Sequence, residues 1–348
     1  MKMHTVLVVD DSPTAREVLR SILSEAVGFK IVGFANDGRE AIEKAKALRP
    51  DVITMDINMP VMNGLEATQE IMIEAPTPIV IVSASTRVQE VEASMEALNA
   101  GALAILPKPT GPHSPNHAAL AKEIVATVKA MADVLVIGRR RRFPPPCQTT
   151  DLPKPSASRA RIQIISILSS TGGPPALAKL LGQLPADFPV PILLVQHMVS
   201  SFIPGFARWL DSVVPIQVKL ARDLEMMESS CVYVGAAGHH LGVSSTSRIR
   251  FSDAPAIGGF QPSGTHLFAT VAEQFGPAAA GVIMTGMGRD GLTGLQRIHA
   301  AGGITIAQDE ATSVVFGMAR VAIEHQAIRS VLPLEEIAPH LIQLTGNR

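Results

Sequence analysis

Three side chains that together could activate a hydroxyl group, Ser170, His197 and Asp290, each follow an apolar run. IQIISIL leads into Ser169-Ser170-Thr171-Gly172-Gly173-Pro174-Pro175, PILLVQ ends at His197, and AAGVIMT opens into Gly286-Met287-Gly288-Arg289-Asp290-Gly291. A histidine can take a serine proton while an aspartate fixes its tautomer and supports the imidazolium. The glycines after Ser170 permit a tight strand-to-helix turn, and proline suits the first turn of the helix that follows. Backbone N–H groups at such a helix start can stabilise an oxyanion. Taken singly, each residue has a plainer reading as loop chemistry, a phosphate cradle or a satisfied structural histidine. On the residues alone, the triad and these plainer readings stand level.

A second set lies in the first third of the chain. Asp10 and Asp11 close the apolar run Thr5–Val9, Asp56 closes DVITM (Asp51–Met55), and Lys108 follows Ala102–Leu106. Acidic groups gathered at strand ends can hold Mg²⁺, a hard cation that takes oxygen ligands. A carboxylate there can accept a phosphoryl group, and a lysine can neutralise the product. An acid ending one strand is ordinary. All four in this order, with Met59-Pro60 and Gly64 behind Asp56, point to a phosphorylation switch.

Elements must position both sets. Through residue 125, apolar β-rich runs alternate with helical segments, among them Arg16–Ala26 and Gly38–Leu48, as a parallel sheet with crossover helices requires. From about Gly138 to Arg161 the chain turns to proline, serine and arginine, including Arg139 to Arg142, and reads as a semi-stiff solvated linker. Apolar runs then recur at Ile162–Leu168, Ile192–Gln196, Cys231–Val234, Ala280–Thr285 and Ile304–Gln308. Continuous apolar strands predict a sheet covered on both faces, with function at the carboxyl ends. The expected plan is α/β throughout. A flavodoxin-like (βα)5 domain over 1–125 and a linker over 126–160 precede a doubly wound, mainly parallel Rossmann-like domain over 161–348.

Bulk properties agree with two such domains. A chain of 348 residues exceeds one ordinary core, and 47% hydrophobic against 18% charged residues supplies buried strands. The net charge of −1 argues against an output that grips nucleic acid through a basic surface. Cys147 and Cys231 make neither a disulfide framework nor a metal-ligand spacing. No apolar stretch reaches the ~18 residues of a membrane helix and no signal-peptide pattern opens the chain, so no membrane insertion and a cytoplasmic location are expected.

Other features have bland readings. Gly286 to Gly291 matches G-x-G-x-x-G, but too little chain follows it for a two-halved dinucleotide fold, and Asp290 would face a pyrophosphate unfavourably. His239-His240 lacks metal-ligand spacing and reads as structural or substrate-lining. Asp253 and Asp309 read as surface or loop residues, the methionines as core filling, and Trp209, on a helix over Pro204–Leu210, as packing.

In the first part, LVVDDS, MDINMPVMNG and LPKP resemble the receiver domain of two-component response regulators, over roughly residues 4 to 125. The resemblance implies Asp56 as phosphoacceptor, Asp11 and Asp56 as Mg²⁺ ligands with Asp10 beside or among them, and Ser83 with Lys108 as the switch pair. It also implies a histidine kinase as phosphodonor. Ile105 stands where receivers often carry an aromatic, and Pro107 before the lysine is unusual. The second part carries SSTGG, QHM, PGF, VGAAGHHL, QPSGTHLF, TGMGRDG and AQDEATSVVFGMAR. These resemble, in order, the catalytic domain of chemotaxis protein-glutamate methylesterases.

That second resemblance implies Ser170 as nucleophile, His197 as general base, Asp290 as its orienting carboxylate and the Met287 N–H in the oxyanion hole, with no cofactor for the ester chemistry. Implied substrates are glutamate methyl esters, and often glutamines, on the cytoplasmic helices of chemoreceptors. An unphosphorylated receiver is expected to cover the active-site face. The chain departs from the family at Leu168-Ser169 in place of Gly-Ala, and at Val199, Arg289 and Ala319. A leucine at 168 is expected to crowd the turn and lower activity, which leaves a disabled signalling scaffold as the alternative. Two neighbouring serines also leave the nucleophile open, and the register with Thr171-Gly172-Gly173 favours Ser170.

Overall fold

Runs of Val, Ile and Leu bounded by Gly, Pro and Asp give short buried strands, because a strand covered on both faces has no use for alternation. In the computed structural model, which describes residues 3–83, 93, 95–98, 100–109, 111, 114, 117–134, 161–245 and 248–346, five such strands form the first sheet. These are β1 (His4–Val9), β2 (Phe29–Ala35), β3 (Val52–Met55), β4 (Ile79–Ser83) and β5 (Ala104–Pro107). They are all parallel, in the order β2-β1-β3-β4-β5. The order reverses between β1 and β3, where open α/β sheets leave a crevice. Helices Pro13–Glu25, Gly38–Leu48, Gly64–Glu74 and His117–Ala132 cover the sheet, and the last continues past residue 125. The first three are capped by Ser12, Asp37 and Asn63, each accepting from a backbone N–H of the first turn.

The second sheet has seven parallel strands: β6 (Ile164–Ser169), β7 (Ile192–Gln196), β8 (Gln217–Leu220), β9 (Cys231–Val234), β12 (Ala279–Ile283), β13 (Ile304–Gln308) and β14 (Ser330–Leu332). Their order is β14-β13-β12-β6-β7-β9-β8, so the crossover direction reverses between β6 and β12. A hairpin of β10 (His240–Ser245) and β11 (Arg248–Ser252) lies outside the sheet. The hairpin, β8 and β14 are too short or too polar to stand out as apolar runs. Trp209 is buried on the helix Ile203–Val213 and tilts against Phe206.

The two parts meet through apolar surface. One buried cluster includes Ile53 and Met55 of the first sheet, Met95 and Leu98, and Leu177, Phe202 and Phe206 of the second part. A second cluster, beneath the helix His117–Ala132, is joined by Val314 and Val315 from the loop after β13. Arg139 to Arg142 and Cys147 lie outside the described residues. Among those described, no helix is long and apolar enough to cross a membrane.

Candidate active site and phosphorylation site

Neighbouring strands bring the three candidate catalytic residues to one edge. Ser170 follows β6, His197 follows β7, and Asp290 lies in the loop after β12, so the site straddles the reversal of strand order. Backbone hydrogen bonds continue the ladder past the strand ends, since the Ser170 N–H donates to Thr285 O at 3.0 Å and the His197 N–H to Ser169 O at 2.9 Å. Gly172, at φ 76°, makes the turn after Ser170, and a Cβ there would lie 2.5 Å from Val314 Cβ.

The paired serines have different surroundings. Ser169 is wholly buried, and its hydroxyl donates to Gln196 Oε1 at 2.6 Å. Gln196 Nε2 in turn donates to the carbonyls of Ser170 (2.8 Å) and His197 (2.9 Å), bracing one turn against the other. Ser170 lines a cavity of about 590 Å³ together with His197, Phe260 and Met287. Leu168 does not crowd the turn. Its side chain is buried in the space left by Gly264 and Gly291, where added Cβ atoms would fall 2.3 and 2.6 Å from it. The expectation of a crowded nucleophile turn is therefore corrected: the leucine points to the support of Asp290, and the glycines opposite make room for it.

Asp290 is buried and fully used as an acceptor. Its Oδ1 accepts from the Ser263 hydroxyl (2.7 Å) and the Thr265 N–H (3.0 Å), and its Oδ2 from the Gly264 N–H (2.6 Å). Oδ2 also lies 2.9 Å from His197 Nε2. Ser263 caps the helix Gly264–Phe275, so the carboxylate sits on a helix N-terminus, where negative charge is favoured. Burial alone would raise its pKa, but the hydrogen bonds from His197, Ser263 and Thr265 outweigh that and hold the carboxyl well below the usual range. A carboxylate cannot donate, so His197 Nε2 carries the proton. Nδ1, buried and without a hydrogen-bond partner among the described residues, keeps its lone pair. Phe260 stacks flat on the imidazole at 3.9 Å and fixes its plane.

Sequence reasoning missed these supports. The Ser263 cap was visible as a serine ahead of an apolar helical run and Gln196 as the first residue of QHM, whereas nothing in the sequence marked Phe260. Met287 lies at the cavity, and its N–H donates to no acceptor among the described residues. His240 is wholly buried, while His239 pairs with the exposed Asp253. Asp309 follows β13, and its carboxylate accepts from the N–H and hydroxyl of Thr312.

The other set also converges. Asp10, Asp11 and Asp56 place carboxylate oxygens within 4.8 Å of one another, with Asp10 and Asp56 buried and Asp11 exposed. Lys108 Nζ lies 2.9 Å from both Asp10 and Asp56. Burial pushes the Asp56 carboxyl up to about 6 against the pull of Lys108, and neighbouring Asp10 adds to the rise. Burial alone would lower Lys108, but the two carboxylates outweigh it and raise its pKa. Ser83 ends β4, and its buried hydroxyl lacks a hydrogen-bond partner among the described residues. Gly64 is dictated by contact, because a Cβ there would fall 1.9 Å from the Asp56 carbonyl oxygen.

Fold and sites together define a two-part response regulator, a phosphorylatable parallel-sheet domain joined to an α/β hydrolase domain. Residues 6–118 match the response regulator receiver domain, and residues 165–341 match CheB methylesterase. The chain is 46% identical to protein-glutamate methylesterase/protein-glutamine glutaminase 4 of Myxococcus xanthus, over 97% of this chain and 95% of that protein. It is 47% identical to protein-glutamate methylesterase/protein-glutamine glutaminase 3 of Anaeromyxobacter dehalogenans, over 97% and 98%. The solved catalytic domain of Thermotoga maritima CheB methylesterase superposes with a TM-score of 0.51 at 36% identity, covering 53% of this chain and all of that one. The chain belongs to the protein-glutamate methylesterase/protein-glutamine glutaminase family.

Proposed function

We propose that the protein hydrolyses γ-methyl esters of glutamate, and the side-chain amides of glutamine, on the cytoplasmic helices of chemoreceptors, under control of its own receiver domain. The observation that carries this reading is the pairing at His197: Nε2 is tied to a buried carboxylate and Nδ1 is left unpaired beside the cavity that Ser170 lines. Membership of the family supports this substrate class, and in this reading the protein acts in the cytoplasm as a step of sensory adaptation.

In this reading Ser170 Oγ attacks the ester carbonyl and its proton passes to His197 Nδ1. Asp290 supports the resulting imidazolium through Nε2. The unengaged N–H of Met287 is suited to receive the developing oxyanion. Collapse expels methoxide, which takes the proton from His197 and leaves as methanol. Water, deprotonated by His197, then cleaves the acyl-enzyme and returns a glutamate carboxylate. With a glutamine substrate, ammonia is the leaving group. No hydrogen bond joins Ser170 to His197 in the free protein, and such contacts commonly tighten only when substrate is bound.

Control rests on the cavity, one wall of which is built from Leu103, Leu106, Glu123 and Thr127 of the receiver, while Ser170 and His197 line it too. In this reading that wall keeps a receptor helix from Ser170. Asp56 is the proposed phosphoacceptor, with a histidine kinase as donor. Asp10, Asp11 and Asp56 fit Mg²⁺: three close carboxylates, one of them with a pKa raised by burial beside another acid, form a site that a divalent cation relieves. When bound, the ion would neutralise phosphoryl charge, and Lys108 and Ser83 would hold the phosphoryl oxygens. The test is methanol release from methylated receptor cytoplasmic domains by wild type and Ser170→Ala, each with and without a small-molecule phosphodonor. Release that needs Ser170 and rises with donor is expected. Release by Ser170→Ala at the wild-type rate would overturn the assignment.

A further inference from the structure

Behind Asp290 lies a second buried histidine that the mechanism does not use. His240 and Ser263 are both 0% exposed. The Ser263 N–H donates to His240 Nδ1 at 3.2 Å, and His240 Nε2 lies 3.1 Å from the carbonyl oxygen of Pro255. A carbonyl only accepts, so Nε2 carries the hydrogen and Nδ1 the lone pair, which fixes the ring as one neutral tautomer. Ser263 then uses its hydroxyl in two directions, accepting from the Thr265 N–H at 3.1 Å and donating to Asp290 Oδ1 at 2.7 Å.

We infer that His240 and Ser263 are positioning residues of the esterase: the neutral imidazole anchors the backbone of the serine whose hydroxyl orients the carboxylate partner of His197. This rests on the triad reading above. The hydrogen bonds run without a break from Pro255 through His240, Ser263 and Asp290 to His197, so both imidazoles act on one carboxylate from opposite ends. The titratable group facing His240 from the helix Gly264–Phe275 is His266, stacked at 4.9 Å. Burial, and then His240 itself, holds the His266 pKa below its ordinary value, so this neighbour stays neutral. His239, next to His240 in the chain, pairs with Asp253 and stacks on Phe251. On Asp290 the titratable partner is His197.

A buried structural histidine would show itself only in stability, whereas a positioning pair must also alter how His197 titrates during turnover. Without the Ser263 hydroxyl, Asp290 shares its charge with one donor fewer and holds the imidazolium of His197 more strongly. The acid limb of the pH–rate profile then moves to higher pH. The experiment uses the full chain with two readouts, labelling of Ser170 by a fluorophosphonate probe and methanol release from methylated receptor domains. Ser263→Ala is expected to slow labelling about ten-fold, the loss of roughly one hydrogen bond to a charged group. The receptor KM should stay unchanged while the acid limb rises by about half a pH unit.

His240→Leu is expected to lose labelling similarly, and His240→Asn, which keeps an acceptor near the position of Nδ1, to recover most of it. Should His240→Leu fail to fold, Ser263→Ala and His240→Asn decide. Wild-type labelling and an unmoved acid limb in Ser263→Ala would overturn the inference, as would a slower rate explained wholly by a lower melting temperature. A wild type that labels but releases no methanol would sink the substrate reading, and the labelling rates would still decide the relay. A wild type that does not label would overturn both.

Discussion

His197 meets Asp290 through Nε2 at 2.9 Å, so the nitrogen left to take a proton is Nδ1. Four donors surround the two carboxylate oxygens, which leaves no place for an amide NH2 group. In Asp290→Asn the amide must oppose Thr265 N–H and the Ser263 hydroxyl on one side, or Gly264 N–H and His197 Nε2–H on the other. Either His197 turns to the wrong tautomer or the helix start shifts. Methanol release is expected to fall by about 10³–10⁴-fold, the scale of the tautomer error in serine hydrolases.

The same substitution carries a signed pH prediction. Asp290 is held below its ordinary pKa, so its stabilising contribution is complete above the unfolded value of ~3.9 and is lost as pH falls below it. Denaturant unfolding of the catalytic part should show Asp290→Asn less stable than wild type by about 2 kcal/mol at pH 7 and at pH 5. The difference should shrink once the pH drops under 4. A difference that disappears already between pH 7 and 5 would contradict the assignment.

At Asp56 the sign is opposite. Its carboxyl is pushed up to about 6, so a cation binding there must displace a proton below that pH. Mg²⁺ affinity, followed by calorimetry on the full chain, should be nearly constant from pH 8 to 7. It should then weaken toward about ten-fold per unit below 6, and Asp56→Asn should remove this dependence.

Leu168 supplies a packing test. It fills the notch between Gly264 and Gly291, against Phe268, behind the Asp290 loop. Leu168→Ala should cost about 3–5 kcal/mol in chemical denaturation, as a buried leucine truncation that leaves a cavity does. A glycine at this position, introduced alone, should be worse still, because Gly264 and Gly291 stay small and nothing refills the space.

Leu103 lines the cavity from the receiver side. Leu103→Glu buries a charge where the two parts meet and should weaken their contact. Basal methanol release is expected to rise about five-fold or more, with the stimulation by phosphodonor reduced in proportion, on the scale of ordinary coupling energies. Unchanged basal release would mean that this wall does not restrict the site.

The central strands of both sheets were legible because they are buried on both faces and apolar along their length, so the ends of β1, β3, β6 and β7 mark themselves with Asp10, Asp56, Ser170 and His197, whereas the edge strands β8 and β14 did not stand out. The helix Gly38–Leu48 was legible from its spacing. The hairpin His240–Ser252 was not, since half of it faces solvent and its burial depends on the helix Gly264–Phe275. Bonds around Asp290 join residues far apart in the chain, and only folding brings Ser263 and His240 behind it. Leu168 was misjudged for the same reason: its neighbours are Gly264 and Gly291, not the turn that follows it in sequence.

Strand β5 is four residues long, Ala104–Pro107. Ala104, Ile105 and Leu106 lie along the esterase cavity, and Lys108, just past the strand, bridges Asp10 and Asp56. The phosphorylation site and the esterase cavity thus share this short segment, beside the helix His117–Ala132, whose Glu123 and Thr127 also line the cavity. Under the proposed function, a change of charge at Asp56 would pull on one end of a rod whose flank lines the cavity of Ser170. In such a short linkage, stiffness matters more than sequence along the way, and a proline next to the lysine contributes to it.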